Sequence, residues 1–160
     1  MPAVKPIPDG FHTITPHLVV KGAAKAIDFY KAAFGAEELG RHGMPDGTIM
    51  HALLKIGDSM LMLNDEFPQM GAKGPQSIGG SPVTLNLYVQ DADKAFQRAV
   101  NAGATVKMPI ADMFWGDRYG MVSDPFGHSW SIATHKQDLT PQQIMEAAKT
   151  AMAGKGQGHC

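Results

Sequence analysis

The chain has 160 residues, 44% hydrophobic and 18% charged, which is typical of a globular protein and unlike a disordered one. Its formal net charge of -1 and pI ≈ 6.6 exclude the strongly basic face of a nucleic-acid binder, and no apolar run approaches the ~20 residues that span a bilayer. The only cysteine is the last residue, Cys160, so no internal disulfide can form, and we predict a cytoplasmic protein.

The chain repeats one plan of secondary structure twice. HLVVKGAAKAIDFYKAAFGAEEL (residues 17–39) and LNLYVQDADKAFQRAVNAGATVKM (residues 85–108) each contain an apolar strand, a helix, a Gly-Ala pair and a further strand. The first helix is predicted over residues 23–34 and ends at Gly35. The second begins after Asp91, which is a good N-cap residue, and ends at Gly103.

Each predicted helix is followed by a β-hairpin. Residues 49–65 read as two strands joined at Gly57-Asp58, and residues 118–135 as two strands joined by the turn at residues 124–127. The sequence therefore predicts an α+β fold of two tandem β-α-β-β-β modules. The first module covers residues 12–67 and the second covers residues 83–136.

Two further segments lie outside the predicted modules. Residues 68–82 are rich in glycine and proline, which indicates a mobile linker. Residues 138–153 form a predicted C-terminal helix, with Thr140 as N-cap, Pro141 in the first turn and Gln143 completing a capping box. The tail, residues 154–160, is predicted to be disordered.

The motifs YKAAFGA (residues 30–36) and DPFGHSWS (residues 124–131) resemble those of the vicinal oxygen chelate superfamily. That superfamily includes glyoxalase I, bleomycin-resistance proteins and extradiol dioxygenases. The segments at residues 47–65 and 114–135 are similar to the PhnB-type subgroup. The resemblance covers about residues 12–136, and implies a curved mixed sheet that forms a cup around a ligand, together with a homodimer.

The resemblance also indicates where a divalent metal would be bound. The family's four ligand positions align with Thr15, Leu61, Thr84 and Ser131. These are not a ligand set, because a divalent metal of this family needs imidazole, thiolate or carboxylate groups. We therefore predict no metal and no cofactor. The alternative is one divalent metal held by unexpected ligands, with His17 among them.

If the four positions mark the inner face of the cup, the alternation of strand residues predicts which other side chains line it. Arg118 is included because the second hairpin is expected to pair it with Ala133. Its guanidinium needs an anionic partner, which could be Glu37, Glu38 or an acidic group on a ligand. Trp115 is expected to lie over the cup mouth, or to cap the core. The predicted ligand-binding set is His17, Leu54, Leu61, Leu63, Thr84, Asn86, Tyr88, Trp115, Arg118 and Ser131.

Three histidine and tryptophan positions are predicted to be structural: Trp130 in the core beneath the second helix, His128 near a turn, and His51 on the helix side of its sheet. Among the predicted cup residues, His17 is the only one of a type that changes charge near neutral pH, so it is the candidate catalytic base.

Three functions remain open. The first is metal-independent binding of a small molecule, as in bleomycin-resistance proteins. The second is isomerase or lyase chemistry that uses His17 as base or an atypically ligated metal. The third is an interaction module whose C-terminal helix docks on a partner. We expect a small-molecule ligand and a homodimer, and neither nucleic acid nor a membrane as partner.

Overall fold

The computed structural model describes residues 4–155. The first module consists of β1 (His17–Val20), α1 (Ala23–Phe34), β2 (Glu37–Gly43), β3 (Ile49–Ile56) and β4 (Ser59–Asp65). Its sheet has the strand order β1-β4-β3-β2. Strand β1 is parallel to β4, and the other pairs are antiparallel.

The second module repeats this topology. After a 3-10 helix (Pro68–Met70) and the short helix α2 (Pro75–Ile78), it consists of β5 (Thr84–Tyr88), α3 (Ala92–Ala102), β6 (Thr105–Asp112), β7 (Asp117–Ser123) and β8 (Ser129–His135). Its sheet has the order β5-β8-β7-β6, again with one parallel pair, β5 with β8. The helix α4 (Pro141–Lys155) follows. The predicted α+β fold of two tandem modules and a C-terminal helix is confirmed.

The helix boundaries follow the signals in the sequence. Helix α1 ends at Gly35, whose φ of 69° is in the left-handed region that glycine tolerates. The carboxylate of Asp91 caps α3 by accepting a hydrogen bond of 3.0 Å from the Lys94 backbone N–H. At α4, Thr140 and Gln143 form the reciprocal bonds of a capping box, at 2.8 and 3.3 Å. This helix runs to residue 155, and residues 156–160 of the predicted tail lie outside the described residues.

The two modules share one hydrophobic core. Helices α1 and α3 pack against each other, and each also packs on its own sheet. An aromatic cluster from both modules fills the space between them: Phe29, Tyr30, Phe34, Phe126 and Trp130. Trp130 is only 1% exposed, so it is core as predicted, but its close aromatic contact is Phe34 of α1, at 4.4 Å, rather than a residue of α3. Within residues 4–155, no helix combines the length and apolar character needed to cross a membrane.

The turn before β8 is organised by the buried carboxylate of Asp124. It accepts hydrogen bonds of 2.9 Å from the backbone N–H groups of Phe126 and His128, and another of 2.9 Å from Trp130 Nε1. The ring of His128 lies 3.2 Å from the Val19 carbonyl oxygen in the other module. His128 is therefore structural, as predicted.

The face of the first sheet that packs against the core is the opposite of the one predicted. Leu18 is buried in the core and pairs with Leu63, so Leu63 lies on the same, helix-bearing face. Leu61 and Leu54 share that face and are 4% and 0% exposed. The prediction that Leu54, Leu61 and Leu63 lie on the face opposite the helices was therefore wrong, although Leu61, near the end of its strand, still borders a cavity described below. The other face, turned away from α1 and called the open face here, carries His17, Val19, His51, Leu53, Met60 and Met62. His51 thus lies on the open face, not on the helix side as predicted.

Arg118 also lies on the opposite face from the one predicted. It pairs with Thr134 instead of Ala133, because the turn containing Asp124 is one residue longer than the sequence suggested. A shift of one residue turns a strand side chain to the other face of the sheet. Arg118 Nη2 and Nε donate to Asp93 on α3 at 2.8 and 3.0 Å, and Nη1 lies 3.4 Å from Asp112.

Neither expected partner of Arg118 contacts it. Glu38 is bonded instead to Lys31, at 2.5 Å, and to Arg41. The hydrogen bonds from Arg41 and then from Lys31, with the charges of both, lower the pKa of Glu38 to about 2, so this carboxylate is committed to its own ion pairs. Arg118 is a structural residue that ties β7 to α3.

Candidate functional site

A cavity of about 690 Å³ lies where the two modules meet, and we call it the junction cavity. The segment before β1 and the β3–β4 hairpin form one side, and the edge strand β5 forms the other. Phe34 and Trp130 also contribute to its wall. The lining residues are His12, Ile14, Thr15, Pro16, Phe34, residues 56–61, residues 84–89 and Trp130.

The lining of the junction cavity is mainly apolar with a few polar groups. Isoleucine, leucine, methionine and aromatic side chains supply the apolar part, while Thr15, Thr84, Asn86 and Tyr88 supply hydroxyl and amide groups. The hydroxyl of Ser131 donates to Asn86 Oδ1 at 2.5 Å, which fixes the orientation of that amide. A volume of a few hundred Å³ with few convergent polar groups is typical of a small-molecule site.

The junction cavity gathers four residues of the predicted ligand-binding set: Leu61, Thr84, Asn86 and Tyr88. Ser131 reaches it through Asn86. The remaining members of that set lie elsewhere. Leu54 and Leu63 are in the core, Arg118 is bonded to Asp93, and His17 and Trp115 are not among the lining residues. His12, Ile14 and Pro16 were missed, because nothing in the alternation of strand residues places the segment before β1 against β5.

Three of the four positions that align with the family's metal ligands line this same cavity. They are Thr15, Leu61 and Thr84, and the fourth, Ser131, lies behind Asn86. Their side chains do not suit a divalent ion, since a leucine cannot ligate and hydroxyl groups are weak ligands without carboxylate or imidazole partners. Among residues 4–155, no group of three or more His, Cys, Asp or Glu side chains is placed to hold a metal ion.

A second polar cluster surrounds Asp117, which is 5% exposed. Its carboxylate accepts hydrogen bonds from Tyr88 Oη at 2.9 Å and Trp115 Nε1 at 3.2 Å, and His135 Nδ1 lies 2.8 Å away. The other ring nitrogen of His135, Nε2, lies 3.0 Å from the exposed carboxylate of Asp138. Trp115 therefore lies beside this cluster, with its ring against Tyr119 at 5.4 Å, and does not cover the junction cavity.

The protonation of this cluster follows from its contacts. Burial acts to raise the pKa of Asp117, but the hydrogen bonds from His135, Tyr88 and Trp115 outweigh it and lower that pKa. The hydrogen bonds to Asp117 and then to Asp138 raise the pKa of His135. The hydrogen bond to Asp117, with burial and its charge, raises the pKa of Tyr88. Asp117 was missed in the sequence, because its role depends on three partners that are far apart along the chain.

Comparison with known proteins agrees with the fold. Residues 10–132 match the family model described as the Glyoxalase/Bleomycin resistance protein/Dioxygenase superfamily. The chain is 51% identical over 148 residues to Uncharacterized protein Mb0911c of Mycobacterium bovis. The match covers 91% of this chain and 95% of the relative.

Two solved structures show the same architecture. TioX from Micromonospora sp. ML1 is 28% identical with a TM-score of 0.63, and the match covers 78% of this chain and 98% of TioX. The gene product At5g48480 from Arabidopsis thaliana is 31% identical with a TM-score of 0.63, covering 77% and 98% of the two chains.

Proposed function

The chain belongs to the glyoxalase/bleomycin resistance protein/dioxygenase superfamily, and from this membership we propose that it is a metal-independent small-molecule-binding protein of the bleomycin-resistance type. The observation that carries the proposal is the junction cavity, which lies at the family's metal positions but is lined there by Thr15, Leu61 and Thr84. Such a lining favours binding of an apolar or planar molecule over activation of a metal-bound one.

The proposed site lacks the two charged or titratable side chains of the sequence-based one. His17 and Arg118 were expected to hold the ligand, but neither lines the junction cavity. The polar groups of its β5 side are the hydroxyl groups of Thr84 and Tyr88 and the amide of Asn86, while His12, Thr15, Asp58 and Ser59 line the opposite side. The part of the ligand that contacts β5 is expected to be uncharged, because the groups there donate and accept hydrogen bonds without carrying charge at neutral pH.

The proposal is tested by thermal denaturation with a panel of planar amphipathic compounds in the presence of EDTA. At least one compound should raise the melting temperature, and the Thr84→Trp substitution, which fills the cavity beside β5, should abolish that rise. Thr105→Trp is the matched control, because Thr105 is an exposed threonine on β6 away from the cavity. The proposal fails if no compound stabilises the unsubstituted protein, or if Thr84→Trp binds as well as Thr105→Trp.

A second candidate is an isomerase or lyase, and the observation that favours it is the pairing of His135 with Asp117 at 2.8 Å. A buried carboxylate that orients one ring nitrogen leaves the other, Nε2, to accept a proton once the exposed Asp138 moves away. Within residues 4–155, no carboxylate is hydrogen-bonded to His17, the base suggested by the sequence, and its aromatic neighbour is His51. Conversion of a carbonyl or carboxylate substrate that is lost in His135→Gln would support this candidate, and conversion unchanged in that variant would contradict it.

A homodimer, a PhnB-type relationship and a cytoplasmic location also belong to the proposal. Helix α4 supports the homodimer, since no described element makes an extensive contact with it and Met145 and Met152 are 61% and 70% exposed. Light scattering should show a dimer for the full chain and a monomer after deletion of residues 138–160. A monomeric full chain would contradict the dimer, and a dimeric truncated chain would contradict the role of α4.

A further inference from the structure

Three histidines form a row across the open face of the first sheet. The ring of His51 on β3 lies 5.7 Å from that of His17 on β1 and 6.5 Å from that of His42 on β2, between centroids. His51 and His42 are direct partners in the β2–β3 ladder. We call these three side chains the imidazole row. None of them lines the junction cavity.

No carboxylate forms an ion pair with the imidazole row within residues 4–155. The neighbouring side chains on this face are Met62 and Asn64 from β4, the strand between β1 and β3. Further along the same face, Lys55 on β3 lies opposite Glu37 on β2. None of the eight ion pairs of the described residues includes a histidine of the row. Burial, followed by the charges of His17 and His42, lowers the pKa of His51. A positive charge on the His51 ring is therefore opposed by burial and by the two neighbouring rings, and no ion pair of the described residues offsets it.

The spacing of the rings fits a shared oxygen better than a shared metal ion. A ring N–H reaches an acceptor oxygen at about 2.9 Å, so one oxygen can bridge two rings whose centroids are up to about 8 Å apart. A zinc ion lies about 2.0–2.1 Å from each ligating nitrogen, which brings two tetrahedrally arranged rings to about 5 Å between centroids. The observed centroid distances of 5.7 and 6.5 Å are longer than the spacing expected for a shared zinc ion. They lie well within the spacing that a shared oxygen allows.

We propose that the imidazole row binds the oxyanion head, phosphate or carboxylate, of a small molecule. An imidazolium ring donates from both nitrogens, and a hydrogen bond between charged partners is about twice as strong as a neutral one. The bound anion supplies the negative charge that the row lacks, so it favours protonation of His51. This site is separate from the junction cavity and does not depend on the function proposed for that cavity.

The test is an NMR titration of the histidine rings at about pH 6, near the ordinary histidine pKa. Sodium sulfate and sodium acetate are compared with sodium chloride at equal ionic strength. Sulfate, acetate or both should shift the signals of His17, His42 and His51 and raise the pKa of His51. A response to sulfate alone identifies a phosphate-like head, and a response to acetate alone identifies a carboxylate.

The effects of substitutions and of pH on anion affinity distinguish a specific binding site from general screening of charge. His51→Gln should weaken binding of the responding anion by about tenfold, the loss expected for one charged hydrogen bond. Lys25→Gln, which removes one charge from an exposed position on α1, should leave that binding unchanged. Affinity should also fall by up to about tenfold per pH unit above the pKa of His51 if one proton is taken up with the anion.

Three results would overturn the proposal. The first is a response to chloride as large as that to sulfate and acetate. The second is an equal response of His12, His128 and His135, which lie outside the row. The third is an unchanged affinity in His51→Gln.

Discussion

Tyr30 on α1 donates a hydrogen bond of 2.8 Å to the carboxylate of Asp124, which joins the helix of the first module to the β7–β8 turn of the second. Tyr30 is fully buried, and Asp124 is 5% exposed. Burial, the charge of Asp124 and the hydrogen bond itself raise the pKa of Tyr30, so the phenol remains a donor throughout the neutral pH range. The two modules are therefore held together by a polar contact within the aromatic cluster as well as by the cluster itself.

The Tyr30→Phe substitution is expected to lower the free energy of unfolding by about 1–3 kcal/mol, because the buried carboxylate of Asp124 loses one donor that water cannot replace. Urea denaturation measures this loss. Tyr119→Phe is the control, since it removes the same hydroxyl group from a half-buried position on β7. An equal loss in the two variants would show that the contact with Asp124 has no special role.

Gly120→Ala is expected to lower the free energy of unfolding by about 1–3 kcal/mol through overpacking. A Cβ atom at Gly120 would lie 2.7 Å from Phe96 Cε2 on α3 and 3.0 Å from the backbone of Ile110. Helix α3 can pack this closely on β7 only because position 120 has no side chain. Gly40→Ala is the matched control on β2, where a Cβ atom meets nothing within 4 Å. A loss as large in Gly40→Ala would assign the effect to glycine replacement in a strand and not to the contact with Phe96.

The stability of the protein should depend on pH through His135. Its pKa is raised in the folded state, so its contribution is fully present below the unfolded-state value near 6.5 and is lost as pH rises through the higher folded-state value. Urea denaturation at several pH values should show the largest difference between the unsubstituted protein and His135→Gln on the acidic side of this window. Asp138→Asn should narrow the pH range over which this stabilisation is lost, because it removes one of the two carboxylates that raise the pKa of His135. A difference that grows with rising pH would contradict this assignment.

Arg118→Gln should lower stability slightly and leave ligand binding unchanged. The guanidinium is bonded to Asp93 and Asp112 and does not line the junction cavity. Its pKa is raised by the hydrogen bond to Asp93. Asp93→Asn should cause a similar loss, and the double variant should lose less than the sum of the two. Weaker binding of a panel compound by Arg118→Gln, without a matching effect of Asp93→Asn, would restore the ligand role suggested by the sequence.

The local features of the fold could be predicted from the sequence, because their signals lie within a few residues of each other. The ends of α1 and α3, the capping box of α4 and the β3–β4 hairpin joined at Gly57-Asp58 were all predicted correctly. The repeated pattern of strand, helix and hairpin predicted the α+β fold of two modules for the same reason, since its glycine-containing turns and helix ends are local signals.

The faces of the first sheet could not be predicted, because the deciding contact is distant in the sequence. Strand β1 pairs in parallel with β4, and the register places His17 beside Met62 and Leu18 beside Leu63. The alternating methionines and leucines of β4 are apolar on both faces, so the pattern does not show which face is buried. The error for Arg118 has a local cause. The hydrogen bonds of Asp124 lengthen the turn by one residue, and the whole of β7 changes face.

Metal-independent binding of a small molecule in the junction cavity can be tested by chemical-shift mapping of backbone amides, with a stabilising panel compound in EDTA. We predict that the largest changes fall on β5, on residues 12–16 and on the β3–β4 hairpin, the three segments that line the cavity. Changes confined to other parts of the chain would contradict binding in this cavity, and binding that appears only after a divalent metal is added would contradict metal independence.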